Sequence, residues 1–176
     1  MNIDTDHFIV YNCFTDSVKR GILMKLNYTE QQLIQMAQEQ FRKLMMDIPF
    51  VAEIEFSMPT DLVATWDVDA IVKFSDSSSV LKFNIDVHSN GEKRFVNRFI
   101  QRVTQYRDGD CCVFVAPYIS EASARLLYDS YCSYMDLSGN CYILTRRIII
   151  RNRSGLIHIK PLPFLSRQYH DPRFCT

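Results

Sequence analysis

The chain is predicted to fold as a mixed α/β domain in which a central sheet is flanked by helices. Apolar and polar residues alternate over residues 66–74 and 80–88, which is typical of strands, and apolar residues recur at helical spacing over 29–48 and 92–106. Residues 111–116 are apolar throughout, as in a buried parallel strand. Residues 51–58 also alternate, and Ser154-Gly155 suits a hairpin turn. In chain order these elements predict an α-β-β-β-α-β core with an extra C-terminal β-hairpin.

Length and composition indicate one folded domain. The chain has 176 residues, of which 47% are apolar, enough for a substantial core. We expect the core over residues 28–160, an N-terminal addition over 1–27 and a tail over 161–176. The formal net charge is zero, so a nucleic-acid partner would have to be bound by a local basic patch. The absence of a signal-like segment and of a bilayer-length apolar run predicts a cytoplasmic protein with no membrane partner.

Six cysteines are present, without a CxxC pair or a Cys/His spacing typical of zinc modules. Cys111, Cys112 and Cys141 lie in apolar, strand-like runs. We therefore predict that the thiols are small buried hydrophobes in a reducing compartment.

The first predicted helix begins at Thr29, where Gln32 completes a capping box, and it ends before Pro49. The strand that follows, residues 51–58, alternates regularly. One face is expected to carry Ala52, Ile54, Phe56 and Met58, and the other Val51, Glu53 and Glu55.

The next two strands carry the candidate site. Asp67 and Asp69 lie on the polar face of the first, and Asp86 and His88 on the polar face of the second. If the strands pair as a hairpin, Asp67 or Asp69 would come close to Asp86 and His88. Two carboxylates and an imidazole suit a divalent metal ion. The same spacing is also typical of a solvated sheet face, which is the simpler interpretation.

Two groups of arginines are candidate contacts to nucleic acid. Arg94, Arg98 and Arg102 recur every four residues opposite the apolar arc of the predicted helix over 92–106, a pattern that suits phosphate contacts. Arg146 and Arg147 form a second cluster near the predicted C-terminal hairpin. Ordinary solvated faces remain the alternative for both groups.

One predicted strand begins with an acid, and the next ends with an acid-x-base motif directly before a helix. This arrangement resembles the PD-(D/E)xK, or restriction-endonuclease-like, nuclease superfamily. The motif reads Asp86-Val87-His88 here, and residues 94–96 read RFV where a group of bacterial members has R-F-V or R-Y-V. Residues 113–127 (VFVAPYISEASARLL) and 134–140 (YMDLSGN) also match that group. The resemblance covers roughly residues 51–150.

The resemblance implies a restriction-endonuclease-like core and a metal-dependent endonuclease that acts on DNA. It assigns Asp69, Asp86 and His88 to catalysis. It also implies that Asp67, Asp69 and Asp86 hold Mg²⁺ or Mn²⁺, which would activate water and stabilise charge on the scissile phosphate.

His88 departs from the family, which has a lysine at this position. The imidazole could act as a general base near neutral pH, or it could ligate a metal and shift the preference toward manganese or zinc. It could instead mark a scaffold that has lost its chemistry. In that case the chain would be a catalytically inactive module that binds DNA or a protein partner, a second copy included, as a regulator. A structural role without nucleic acid is a third alternative.

Overall fold

One continuous β-sheet organises the structure, a computed structural model. It describes residues 9–12, 28–60, 64–75, 79–105, 111–145, 148–153 and 156–161. Within these ranges, nine strands form the sheet and three helices accompany it. The strands are β1 (Ile9–Asn12), β2 (Val51–Ser57), β3 (Val68–Phe74), β4 (Val80–Val87), β5 (Cys111–Ala116), β6 (Ser133–Asp136), β7 (Cys141–Leu144), β8 (Ile148–Arg153) and β9 (Leu156–Pro161). The helices are α1 (Glu30–Met46), α2 (Lys93–Gln105) and α3 (Glu121–Asp129).

The sheet is mixed, and its strand order is β1-β9-β8-β7-β6-β5-β4-β3-β2. Strands β4, β5 and β6 run parallel, whereas the other neighbours pair antiparallel. The predicted mixed α/β class is confirmed. Strands β8 and β9 form an antiparallel pair, and β1 from the predicted N-terminal addition pairs with β9. Apart from Pro161, the predicted tail lies outside the described residues.

The helices form separate cores on the two faces of the sheet. Helix α1 buries Phe41 and Met45 against one face, and α2 and α3 bury Phe99 and Leu127 against the other. Both faces of β4 are therefore covered, and Asp86 on this strand is only 6% exposed. The solvated-face interpretation is wrong for this residue, because a helix covers the face that the alternation pattern left open.

Helix α1 begins with the predicted capping box. The Thr29 hydroxyl accepts the backbone N–H of Gln32 at 3.2 Å, and Oε1 of Gln32 accepts the backbone N–H of Thr29 at 2.9 Å. These bonds satisfy donors that the first turn of a helix leaves unpaired. The helix ends at Met46, before Pro49 as predicted.

The predicted alternation of β2 is wrong at both ends. The pairing register with β3 shifts between Val51 and Glu53, which places an extra residue in β2. Val51 is consequently buried and Ala52 exposed, the reverse of the expectation. Met58 lies beyond the end of the strand and is 67% exposed.

A close backbone contact joins the connection after β4 to the connection after β5. A Cβ atom at Gly91 would lie 2.5 Å from the carbonyl oxygen of Tyr118 and 3.0 Å from Cα of Ile119. Real Cβ atoms essentially never lie within 3.0 Å of such an atom. The absence of a side chain at Gly91 thus allows the segment after β4 to lie against the carboxyl end of β5.

Candidate functional site

Asp86 is at the centre of the candidate site. It is the last residue but one of β4 and pairs in register with Phe114 of the parallel strand β5. Its side chain is only 9% exposed. Ligands of α/β sheets bind outside the carboxyl ends of parallel strands, and this carboxylate lies at such an end. A charge buried to this extent requires a partner.

Arg102 of α2 supplies that partner. Its Nη2 donates a hydrogen bond to Oδ2 of Asp86, and its Nη1 donates to the backbone carbonyl of Thr65 at 2.6 Å. Thr65 precedes β3 and Asp86 lies on β4, so one guanidinium connects α2 to β4 and to the segment before β3. The Arg102 side chain is 30% exposed.

His88 lies near the same oxygen of Asp86 that Arg102 binds. Its Nε2 is 3.1 Å from Oδ2 of Asp86, but it makes no hydrogen bond with the described residues. The ring stacks on Phe114 with centroids 4.7 Å apart and lies 5.5 Å from the ring of Phe95. Its backbone N–H donates to the carbonyl of Val115 at 2.8 Å. Backbone and ring contacts together fix the imidazole beside the carboxylate.

Asp67 is the second acid of the site. Val68 pairs with Ile85, so Asp67 and Asp86 each lie one residue beyond that pair. Oδ2 of Asp67 accepts the backbone N–H of Val87 at 2.7 Å. Burial is the largest cause that raises the pKa of Asp67, and the charge of Asp86 raises it further. The Val87 N–H and His88 act in the opposite direction. The two carboxylates are therefore close enough to repel each other.

Asp69 lies away from this cluster. It pairs in register with Asn84, and its Oδ1 accepts the indole N–H of Trp66 at 2.5 Å. The structure therefore brings together Asp67, Asp86 and His88, whereas Asp69 holds the tryptophan side chain.

A small pocket opens beside the Asp86–Arg102 pair, between the sheet and α2. Its volume is about 270 Å³, which includes open solvent at its mouth. Its lining consists of Thr65, Trp66, Asn84, Asp86, Phe99, Arg102, Val103 and Cys112. Sequence reasoning missed these apolar and aromatic neighbours, because they come from four separate segments that only the fold brings together.

The cluster contains donors that suit a divalent cation, since carboxylates and imidazoles are common metal ligands. However, Oδ2 of Asp86 is bound by Arg102, and Oδ2 of Asp67 is bound by a backbone N–H. No group of three or more His, Cys, Asp or Glu side chains in the described ranges, this cluster included, is arranged so that it could hold a metal ion. The residues as arranged do not fit a metal ion.

Helix α2 is the most basic element near the site. Its 13 residues, KRFVNRFIQRVTQ, include four basic side chains and no acidic one. Lys93, Arg94 and Arg98 are exposed, whereas Arg102 turns inward to Asp86. Nε of Arg94 lies 2.9 Å from Oε2 of Glu92, but the arginine side chain is 70% exposed. The other predicted phosphate contacts, residues 146–147, lie outside the described residues.

The YMDLSGN segment has a structural explanation. Asp136 is fully buried, and its carboxylate accepts the backbone N–H groups of Ser138 at 3.0 Å and Asn140 at 2.9 Å, and the side-chain amide of Asn140 at 2.8 Å. Asn152 of β8 donates to the carbonyl of Gly139 at 2.6 Å. Burial raises the pKa of Asp136. The acid therefore organises the β6–β7 turn from within.

None of the four cysteines in the described ranges forms a disulfide. Cys132 and Cys141 are buried, whereas Cys111 and Cys112 are partly exposed. Burial raises the pKa of Cys141 to about 12, so its thiol is protonated at neutral pH. Residues 13 and 175 lie outside the described ranges.

Fold and site together define a mixed α/β domain with a buried acid–arginine pair at the carboxyl edge of its parallel strands. Neither a family model nor a curated protein matches the chain. Among solved structures the apo form of EndoMS matches, with 15% sequence identity and a TM-score of 0.37 over 63% of this chain. The chain spans about half of that protein, 47% of its length. A TM-score this low does not establish a shared fold. None of the described helices is long and apolar enough to cross a membrane.

Proposed function

We propose that the chain is a single restriction-endonuclease-like domain that binds DNA through α2 and does not cleave it. The element order from α1 to β5 and the sequence motifs support the fold assignment. The charge of α2 is the observation that carries the binding proposal. Three of its cations, Lys93, Arg94 and Arg98, face solvent on a chain whose net charge is zero.

A cationic helix face suits the DNA backbone because phosphates are bound chiefly by lysine and arginine, independently of base sequence. Each neutralised phosphate releases counterions, and log K falls with log salt by about 0.9 per phosphate. Three phosphate contacts predict a slope of about −2.7. Binding of this kind is weak at physiological salt and strong at low salt.

The experiment measures fluorescence anisotropy of a labelled DNA duplex at several salt concentrations. Arg98→Gln should weaken binding and reduce the steepness of the salt slope by about 0.9. Arg125→Gln is the matched control, because Arg125 is an 81% exposed arginine on α3. The proposal fails if the wild type shows no affinity at low salt, or if both variants bind like it. The first result would favour a protein partner or a second copy of the chain.

A metal-dependent nuclease is the second candidate. Asp67, Asp86 and His88 lie near one another, but a metal ion would bind there only after Arg102 had released Asp86. Plasmid and single-stranded DNA are incubated with Mg²⁺ and Mn²⁺ separately. Asp86→Asn serves as the control for contaminating nuclease. Cleavage by the wild type but not by the variant would establish this function in place of the non-cleaving one.

A further inference from the structure

We propose that the guanidinium of Arg102 is an internal cation that takes the place of a metal ion at Asp86 and excludes divalent cations from the site. This inference deepens the proposed function and rests on it for the non-cleaving assignment. The contacts of Arg102 themselves do not depend on DNA.

The first support is the position of the guanidinium. It binds the Asp86 oxygen that lies 3.1 Å from Nε2 of His88, which is the oxygen best placed for a shared cation. It also donates to the carbonyl of Thr65 at 2.6 Å. A divalent ion that binds this oxygen would have to displace a group held at two points. Guanidinium groups suit such two-point binding because their donors form a rigid fork.

The second support is the charge of the cluster. Asp67 and Asp86 are neighbouring acids, and Arg102 is the only arginine or lysine with an ion-pair contact to either of them in the described part of the chain. Removing the guanidinium would leave two adjacent carboxylates and an imidazole Nε2 that has no hydrogen-bond partner there. Such a set attracts a divalent cation, since oxygen and imidazole donors are available and their negative charge is no longer offset.

The pocket gives an ion access to this position. Asp86 and Arg102 both line it, and it opens to solvent. We therefore expect metal to be excluded by competition at the carboxylate.

Manganese binding is the direct test, because Mn²⁺ can be followed by electron paramagnetic resonance without any DNA. Four proteins are compared at pH 7: the wild type, Arg102→Gln, the double variant Arg102→Gln/Asp86→Asn, and Arg98→Gln. The last is a matched control, since Arg98 is an exposed arginine one turn earlier on α2. Circular dichroism checks that each variant is folded.

Arg102→Gln should bind one Mn²⁺ at least about tenfold more tightly than the wild type, and the double variant should lose that gain. Arg98→Gln should behave like the wild type. Equal Mn²⁺ affinity of the wild type and Arg102→Gln would overturn the inference, as would a gain that persists in the double variant. If Arg102→Gln does not fold, Arg102→Lys replaces it. The single ammonium cannot bind Thr65 and Asp86 as a fork, so a smaller gain is expected and no gain contradicts the inference. Failure of DNA binding would leave this readout unchanged.

Discussion

The energetic coupling between Arg102 and Asp86 can be measured by a double-mutant cycle. Removing one partner of a buried ion pair costs roughly 3–5 kcal/mol, because the other charge is left without compensation. The side chain of Asp86 is 9% exposed and that of Arg102 is 30% exposed, so the pair is mostly but not fully buried and the cost should be somewhat smaller. We expect Arg102→Gln to lower the free energy of unfolding by about 2–3 kcal/mol.

Asp86→Asn should cost less, about 1 kcal/mol. The asparagine oxygen can still accept a hydrogen bond, and the guanidinium can turn its charge toward the solvent-open pocket. In the double variant two neutral amides face each other, and the loss should be about 1–2 kcal/mol. The two single losses therefore should exceed the double loss by at least about 1 kcal/mol, which is the expected coupling energy.

Urea denaturation followed by circular dichroism measures all four corners of the cycle. For Arg102→Gln the midpoint should fall by about 1 M, given a slope of roughly 2 kcal/mol per molar urea. Arg98→Gln is the control and should stay within about 0.5 kcal/mol of the wild type. If the single losses add to within about 0.5 kcal/mol, the two groups are independent and the ion pair is not the main partner of Asp86.

Three further predictions concern stability. Gly91→Ala should lower the free energy of unfolding by about 1–3 kcal/mol, because its Cβ would lie 2.5 Å from the carbonyl oxygen of Tyr118. An unchanged urea midpoint would show that the connections after β4 and β5 can separate freely. Asp136→Ala should cost about 2–4 kcal/mol in the same assay, since buried donors of the β6–β7 turn lose their acceptor; a loss below about 0.5 kcal/mol would contradict that role. Asp67→Asn should raise the Tm at pH 7 by about 1–2 °C, because it retains an acceptor for Val87 and removes a half-buried charge that solvent screens only in part. The pKa of Asp67 is raised in the folded state, which means that folding favours the protonated carboxyl. The stability that this carboxyl contributes is therefore fully present below its ordinary pKa of 3.8 and is lost as the pH rises through the folded pKa. The Tm difference should accordingly shrink as the pH falls toward 4, and a pH-independent difference would exclude this cause.

The periodicity of the sequence was sufficient to place most elements. Local rules that act within a few residues predict the cap at Thr29, the helix over residues 92–106 and the strand over residues 111–116. The bulge at the start of β2 could not be predicted in the same way, because it depends on how that strand pairs with β3. Burial of Asp86 likewise depends on which helix covers the sheet face, and strand alternation carries no information about that.

Which aspartate lies beside Asp86 also required the register of the hairpin. Sequence spacing allowed Asp67 or Asp69, because both lie on one face of the strand. The pairing of Val68 with Ile85 selects Asp67 as the neighbour, and Asp69 is two residues further along the strand, opposite Asn84. A shift of the register by two residues would have exchanged them, and nothing in the local pattern excludes such a shift.

The role of Arg102 has a partial signal in the sequence. An α-helix turns by roughly 100° per residue, so each step of four residues rotates a side chain by about 40°. Arg102 is two such steps from Arg94, about 80° around the helix and toward the apolar arc that contains Phe99. A long side chain at that border can reach either solvent or the sheet, and the buried Asp86 determines which. Arginines that recur every four residues along a helix therefore do not all lie on the same face. Arg94 and Arg98 face solvent, whereas Arg102 neutralises the buried carboxylate of Asp86.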